Sequence, residues 1–312
     1  MRLSISLMKK NIRLSANGKL LLTGEYLVLV GAEALSFPVK FGQTLFAEPC
    51  DQNLIHWVSR EHGITWFTCD LDPRSLEINS TSDRNITIRL VDILLAAKNI
   101  NPDFLCEKAG LNIFVEANYP LNRGLGSSST LIVLIAELAE VDPFLLFRSV
   151  SIGSGYDIAC ALRKKMFFYR VSDEQPVIRS ASPGKALCEY ACFAYLGSKQ
   201  ETGYEVEMFL KRKNFSSNDI TRISELSHLI CEAETFEDLA CNVKEHEHIL
   251  GRILNRNIVA DQFPEFPGTV KSLGAWGGDF AMFISNYEPQ IVKSLLSAYG
   301  IQNVFTFHEL KH

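Results

Sequence analysis

The sequence has no run of the roughly 20 apolar residues that a membrane-spanning helix needs. Its N-terminal stretch, MRLSISLMKKNIRL, has neither an adequate apolar core nor a small-residue cleavage site, so it does not predict a secretory signal. There is also no basic excess, because 31 Lys and Arg residues stand against 36 Asp and Glu residues. That balance argues against a nucleic-acid backbone as partner. We therefore expect a cytoplasmic protein with neither a membrane nor a nucleic-acid partner.

The chain also lacks the common metal-binding and disulfide patterns. Its eight cysteines are scattered without a CxxC pair, and its seven histidines form no HExxH motif. Reduced thiols are expected in a chain of this length. Cys188 and Cys192, in CEYACFAYLG, are expected on a buried strand. His246 and His248 are two residues apart, so we expect a solvated helix face rather than a metal site.

What the sequence does contain is 312 residues, enough for one large domain or two ordinary ones, and 47% hydrophobic residues, enough for a sizeable core. Strand and helix patterns alternate without a regular βαβ rhythm, which predicts an α+β fold. Leu20–Val30 is expected to form two short strands or one bulged strand, and a hairpin is expected around residues 61–63. Helices are expected at 86–100, 219–233 and 236–255, the last with Thr235 as N-cap. The polar stretch SDEQPVIRSASPGKA predicts a boundary between domains 1–183 and 184–312.

The segment GLGSSST, Gly124 to Thr130, follows a predicted strand and precedes an apolar helix. Glycine lets backbone N–H groups approach a phosphate closely, and a helix N-terminus adds unpaired donors and a partial positive charge. The segment is neither GxxxxGKS nor a clean GxGxxG. Taken alone, it is equally compatible with a phosphate loop and with a capped turn before a buried helix.

Three further segments have the same double meaning. Lys19, in ANGKLLLTGEY, is either a solvated lysine or a group that reaches a phosphate. Asp157, in GSGYDIACA, is either a helix cap or a base for an attacking alcohol. The glycines of KSLGAWGGDF form either a tight bend or a backbone that approaches a ligand.

The joint order of these four segments, over residues 17–280, resembles the GHMP kinases, which include galactokinase, homoserine kinase, mevalonate kinase and phosphomevalonate kinase. GKLLLTGEY and SGYD are most similar to the mevalonate and phosphomevalonate kinase branch. GSGYDIACA with SLGAWGGDF resembles the bacterial "GYDIA" group of that superfamily. The resemblance implies an N-terminal ribosomal-protein-S5-like domain that binds ATP and a C-terminal ferredoxin-like domain.

The resemblance also implies roles for individual residues. Asp157 would be the catalytic base, and Lys19 would stabilise charge near the transferring group. Ser128 would be the hydroxyl on the Mg²⁺ side. The ATP-binding loop would comprise Gly124, Leu125, Gly126, Ser127, Ser128 and Ser129, and the substrate site would comprise Glu25, Tyr26, Gly155, Gly274, Trp276, Gly277 and Gly278.

The implied activity is transfer of the γ-phosphoryl group of ATP to mevalonate or phosphomevalonate. If the acceptor is already a phosphate, Asp157 would orient the substrate and Lys19 instead. Alternatives are a GHMP kinase of a sugar or an amino-acid alcohol, and a catalytically weak nucleotide-binding protein. A homodimer is compatible with the sequence. An anionic substrate needs further cations, for which Arg123 and Lys199 are candidates.

Three departures from the family pattern bear on these expectations. Mevalonate kinases place a Glu upstream of the catalytic Asp, whereas this chain has no acid between Asp142 and Asp157. Tyr26 stands where many mevalonate kinases have a His, and Trp276 interrupts the last glycine run. We therefore expect Mg²⁺ to rely on Ser128, phosphate oxygens and water.

Overall fold

A computed structural model describes residues 11–105, 110–172, 175–197, 202–274 and 280–312 of the chain, with only the backbone at 202–205. The first half builds an eight-stranded sheet in the order β5-β4-β3-β6-β2-β7-β8, with β1 also paired to β2. Its strands are β1 Ile12–Leu21, β2 Ala34–Cys50, β3 Ile55–Glu61, β4 Ile64–Leu71, β5 Ile78–Thr81, β6 Gly110–Ala117, β7 Phe167–Arg170 and β8 Val177–Ser180. The β3–β6 pair is parallel, and the other pairs of this sheet are antiparallel.

Helices cover one face of this sheet. They are α1 Arg84–Ile100, α2 Ser127–Leu138, α3 Pro143–Val150 and α4 Tyr156–Ala161. Asp83 caps α1 by accepting the N–H groups of Asn85 and Ile86. The buried side chains of α1 recur at helical spacing, at Leu90 and Leu94, and they share a core with Trp57 of β3. This packing leaves the N-terminal ends of α2 and α4 beside strand β1.

The second half builds a four-stranded antiparallel sheet in the order β10-β11-β9-β12. Its strands are β9 Ala191–Tyr195, β10 Thr269–Leu273, β11 Phe280–Ile284 and β12 Val304–Thr306. Its helices are α5 Lys185–Tyr190, α6 Thr202–Arg212, α7 Ser217–Glu232, α8 Phe236–Leu254, α9 Pro289–Ala298 and α10 Phe307–Leu310. Thr235 caps α8 through the Asp238 N–H. No described helix is both long enough and apolar enough to cross a membrane.

One core joins the two sheets. Leu20 and Phe37 of the first sheet share a buried cluster with Phe193 and Phe280 of the second. Beside this core, the segment 23–33, which connects β1 to β2, also contacts the helices of the second half. Its hydrogen bonds join Thr23 to Ser227, Gly24 to His246 and Glu33 to Ser224. The cleft between the halves is therefore closed along this segment.

The predicted α+β class, the hairpin at 61–63 and the three predicted helices are confirmed. The prediction of strand structure over Leu20–Val30 is wrong beyond Leu21, because Leu27–Val30 forms a 3-10 helix. Cys188 lies on helix α5, although Cys192 does lie on a strand. The prediction of a solvated His246 is also wrong, since that side chain is buried. The boundary at 183/184 stays a prediction.

Candidate active site

A cavity of about 320 Å³ lies where β1, α2 and α4 approach the second half of the chain. The described residues that line it are Lys19, Leu21, Tyr26, Val28, Leu29, Leu121, Gly124, Gly126, Ser127, Ser128, Ser129, Phe147, Ser151, Ile152, Gly153, Ser154, Tyr156, Asp157, Val206 and Gly274. Residues of all four candidate segments therefore line one cavity, and Gly274 is the described lining residue of the last segment, KSLGAWGGDF.

The glycine loop presents the N-terminus of α2 to this cavity. Gly126 precedes the helix with φ +91°, and no side chain caps the first turn. A helix leaves its first N–H groups without intrahelical acceptors, so these donors remain for a ligand. A Cβ at Gly126 would lie 2.9 Å from Lys19 Cγ, so only glycine fits both the dihedral angle and the space. The geometry fits an anion such as a phosphate.

Lys19 is tied to this loop by both backbone and side chain. Its N–H donates to the Leu125 carbonyl at 2.9 Å, which joins β1 to the glycine loop. Its side chain then passes over Gly126, and its Nζ lies 5.8 Å from the centroid of the Tyr156 ring. A Cβ at Gly274 would lie 3.9 Å from the same Nζ. The ammonium group is thereby held between the two halves of the chain.

Asp157 is the second residue of α4, and the helix is preceded by the left-handed Gly155 at φ +81°. Burial raises the pKa of its carboxyl above the usual range, while the Lys19 charge and hydrogen bonds from Ile158 and Ser129 lower it. The side chain keeps some exposure because it faces the cavity, although protein surrounds it on the other sides. A carboxylate in this setting is more basic than an exposed one.

A hydrogen bond from the first sheet holds the loop that leads into α4. The Tyr169 hydroxyl, on β7, donates to the Ser154 carbonyl. Burial raises the pKa of Tyr169 and, to about 12, that of Tyr156, so both phenols stay neutral near pH 7. Tyr156 also hydrogen-bonds to Lys19. These contacts fix the position from which Asp157 faces the cavity.

Several residues predicted for the site are not among the described residues that line the cavity. Leu125, Gly155 and Glu25 are buried next to lining residues but are not themselves among the described lining residues. Leu125 contributes its backbone carbonyl to Lys19, as described above. Trp276, Gly277 and Gly278 lie outside the described residues, as does Lys199. Arg123 stacks on Tyr195, with its Cζ 5.7 Å from the ring centroid.

Glu25 belongs instead to a buried polar cluster that the sequence analysis missed. The Lys271 ammonium donates to Glu25 and, at 2.7 Å, to the Ser272 carbonyl. His246 Nε2 accepts the Gly24 N–H at 3.0 Å. Glu247 accepts the N–H groups of Ser272 and Val259 at 3.2 and 3.3 Å. All four ionisable side chains of this cluster are buried, and Lys271 lies on β10, the strand that ends just before Gly274.

The protonation states of this cluster follow from burial. Burial raises the pKa of Glu25 to about 7, although the Lys271 charge and hydrogen bond oppose the shift. It likewise raises the pKa of Glu247 to about 7. Burial, together with the Lys271 charge, holds the pKa of His246 well below its usual range, so the ring is neutral and accepts from Gly24. One sequence signal pointed to this burial: His246 continues the apolar stripe of Leu239, Val243 and Leu250.

A metal ion would have few protein ligands here. Within the described ranges, no group of three or more His, Cys, Asp and Glu side chains is arranged to hold a metal ion. Ser128 is exposed to the cavity at the start of α2, where its hydroxyl is available as an oxygen ligand. This setting fits Mg²⁺, which retains several waters and binds substrate phosphates.

No protein-family model matches the chain, and no curated protein matches it. Solved structures do match over almost the whole length. A Listeria innocua protein is 19% identical with a TM-score of 0.70, over 96% of this chain and 98% of that one. The mevalonate kinase of Methanococcus jannaschii is 16% identical (TM-score 0.68), and the phosphomevalonate kinase of Streptococcus pneumoniae, crystallised with phosphomevalonate and AMPPNP, is 18% identical (TM-score 0.68); each match covers 95% of this chain and 98% of the other.

A galactokinase from Lactococcus lactis, in complex with galactose, matches as well, at 12% identity and a TM-score of 0.64 over 94% of this chain and 89% of the other. The chain therefore has the two-domain α+β fold of the GHMP kinases, as the motif resemblance implied. At these identities the likeness establishes the fold. The activity has to be argued from the cavity.

Proposed function

We propose that this protein is an ATP-dependent kinase that phosphorylates a hydroxyl group of a small metabolite. The observation that carries the proposal is the convergence of Asp157, Lys19 and the uncapped N-terminus of α2 on one cavity. A phosphoryl transfer needs a cradle for phosphates, a cation near the transferring group and a base for the attacking hydroxyl. These three parts are supplied by different elements that the fold brings together.

ATP is the proposed phosphoryl donor. The backbone N–H groups of Ser127 to Ser129 are oriented to bind its phosphates, and Gly126 permits their close approach. Mg²⁺ would be held by the Ser128 hydroxyl and by phosphate oxygens, and when bound it neutralises charge on the transferring group. The streptococcal kinase of the same fold was crystallised with AMPPNP, which supports a nucleotide as a ligand of this fold.

In the proposed reaction, the Asp157 carboxylate accepts the proton of the acceptor hydroxyl as its oxygen attacks the γ-phosphorus. The bond from that phosphorus to the bridging oxygen breaks, and ADP leaves. Lys19 offsets the negative charge that spreads over the equatorial oxygens. The Lys19 side chain passes between the Tyr156 ring and the backbone of Gly126, so the ammonium group is positioned before substrates arrive.

The resemblance names mevalonate and phosphomevalonate as substrates. Between these two, mevalonate suits a buried base such as Asp157 better than phosphomevalonate does, because a hydroxyl acceptor gains from a base whereas a phosphate acceptor needs little help. An uncharged sugar alcohol is a second candidate. It is favoured by one observation: Lys19 is the single cationic side chain among the described lining residues.

The proposal is tested by ADP release in the presence of mevalonate, phosphomevalonate, galactose or homoserine. Asp157→Asn should lower kcat by roughly a hundredfold or more while the variant still binds ATP. Asp142→Asn is the matched control, because Asp142 only caps α3 at the surface and Asn caps equally well. Full activity of Asp157→Asn would refute the assignment of the base.

Ser128→Ala should raise the KM for Mg·ATP, and unchanged kinetics would remove Ser128 as the metal-side hydroxyl. Nucleotide binding without turnover of any alcohol would point to the alternative of a catalytically weak nucleotide-binding protein.

A further inference from the structure

The described residues that line the cavity include only two charged side chains. Among the described residues that line it, Lys19 and Asp157 are the ones with a formal charge, and the proposed reaction uses both. Lys19 already acts on Asp157, whose pKa its charge lowers. Arg123, the other described cation considered for a substrate anion, stacks on Tyr195. The described lining thus supplies no second cation for a carboxylate or phosphate on the acceptor.

The wall next to Asp157 and Lys19 is apolar and continuous. Val28 packs in one cluster with Tyr156, the neighbour of Asp157. Tyr26 and Val206 pack in an adjoining cluster, and Leu29 belongs to both. All five side chains line the cavity, so one apolar surface extends from the base to helix α6 of the second half.

Most polar side chains of the cavity lie outside this apolar wall, on the segment before α4, with Ser151 and Ser154, and on the glycine loop. Ser127, Ser128 and Ser129 lie at the start of α2, on the side proposed for the nucleotide phosphates. The Tyr156 hydroxyl already interacts with Lys19. A sugar ring against the apolar wall would exchange hydration of its many hydroxyls for contact with aliphatic carbon, which is unfavourable. An aliphatic body would instead gain by leaving water.

We infer that the acceptor is an uncharged alcohol with an aliphatic body, bound with its hydroxyl at Asp157 and its carbon chain against Tyr26, Val28, Leu29 and Val206. This inference rests on the proposed kinase function and narrows its substrate class. Among the described residues, this wall offers no cation to replace the hydration that a carboxylate would lose against it, which selects against acidic acceptors. Discrimination by roughly a hundredfold is expected from a charge that is desolvated without a partner.

A matched pair of acceptors tests this. Mevalonate and 3-methylpentane-1,3-diol share the primary hydroxyl, the tertiary hydroxyl and the branch, and they differ in that a methyl group replaces the carboxylate. We expect kcat/KM for the diol to exceed that for mevalonate by roughly a hundredfold, and galactose to fall below the diol. A higher kcat/KM for mevalonate or for galactose would overturn the inference.

A charge introduced into the wall provides the converse test. Val206→Lys places an ammonium group at the far end of the apolar surface, and Val206→Met is the control of similar reach without charge. The lysine variant should shift the ratio of kcat/KM values toward mevalonate by tenfold or more, while the methionine variant keeps the preference for the diol. An equal shift in both variants would contradict the electrostatic argument.

Calorimetric titration of both acceptors into the protein saturated with a non-hydrolysable ATP analogue separates this inference from the proposed function. Tighter binding of the diol without turnover would support the substrate class and refute the kinase. Turnover with tighter binding of mevalonate would do the reverse. Binding of neither acceptor would overturn the inference.

Discussion

The substitution Lys271→Met removes the cation from the buried cluster of Glu25, Lys271, His246 and Glu247. In the native protein the ammonium group donates to Glu25 and to the Ser272 carbonyl, and its charge lowers the pKa of both carboxyls. Methionine fills a similar volume without a charge. The Glu25 carboxylate would then be buried without its partner, which costs about 3–5 kcal/mol of unfolding free energy.

The cost should depend on pH. The folded-state pKa of Glu25, about 7, is above its ordinary value of 4.5, so the carboxyl holds its proton more tightly when folded. The contribution of Glu25 to stability is then greatest below pH 4.5 and is lost as the pH rises through 7; a shift of this size corresponds to about 3 kcal/mol. Without Lys271 the folded pKa rises further. The loss caused by Lys271→Met should therefore be large at pH 8 and small at pH 5.

The measurement is urea-induced unfolding at both pH values. Lys293→Met is the matched control, because Lys293 pairs with Glu309 in a bridge whose side chains are 27% and 47% exposed. That bridge should contribute less than about 1 kcal/mol at either pH. The double variant Glu25→Gln, Lys271→Met should recover most of the loss at pH 8. Equal losses for the two lysine variants, or a loss that does not change with pH, would refute the reasoning.

Three further outcomes are expected. The acid limb of the kcat–pH profile should lie above the usual aspartate pKa, since burial raises the pKa of Asp157. In Lys19→Met the residual activity should show this limb at still higher pH, because the Lys19 charge lowers that pKa. A limb at the same pH in both proteins would contradict the assigned charge coupling. Gly126→Ala should raise the KM for ATP at least tenfold, because the new Cβ meets Lys19. Gly31→Ala is the control: Gly31 has φ +98° and open space around it, so this variant should lower stability without a change in KM. Similar KM values for the two variants would argue against the phosphate cradle. Thr235→Ala should lower the unfolding free energy by about 1 kcal/mol through loss of the α8 cap, without a change in kcat, and an unchanged melting temperature would show that the cap is dispensable.

Elements with strong local signals were predictable from the sequence. The spacing of Leu90 and Leu94, and the cap at Thr235, identify α1 and α8 without tertiary information. The 3-10 helix Leu27–Val30 was not predictable, because its β-forming residues are held by packing against α7 and α8 rather than by pairing with a strand. Tertiary packing overrides local propensity at such places.

The residues of the candidate site show the same distinction between local sequence signals and tertiary contacts. Local motifs identified Lys19, Asp157 and the glycine loop, because their chemistry depends on neighbours in the sequence. The burial of Glu25 depends on Lys271 and His246, which lie more than 200 residues away, and no local pattern connects them. The apolar wall of the cavity is likewise assembled from distant segments, so no local motif predicts it.

The segment 23–33 acts as the fixed edge of the cleft. Its buried hydrogen bonds to α7 and α8, together with the Glu25–Lys271 ion pair, fasten it to the second half, while Thr23 also accepts from Leu35 of the first sheet. Because this segment is hydrogen-bonded to both halves of the chain, the halves cannot separate along it without breaking these bonds. Of the described residues that line the cavity, Ile152 is 89% exposed, so the cavity meets solvent at the connection between α3 and α4. Substrates that enter there leave the hydrogen bonds of segment 23–33 intact.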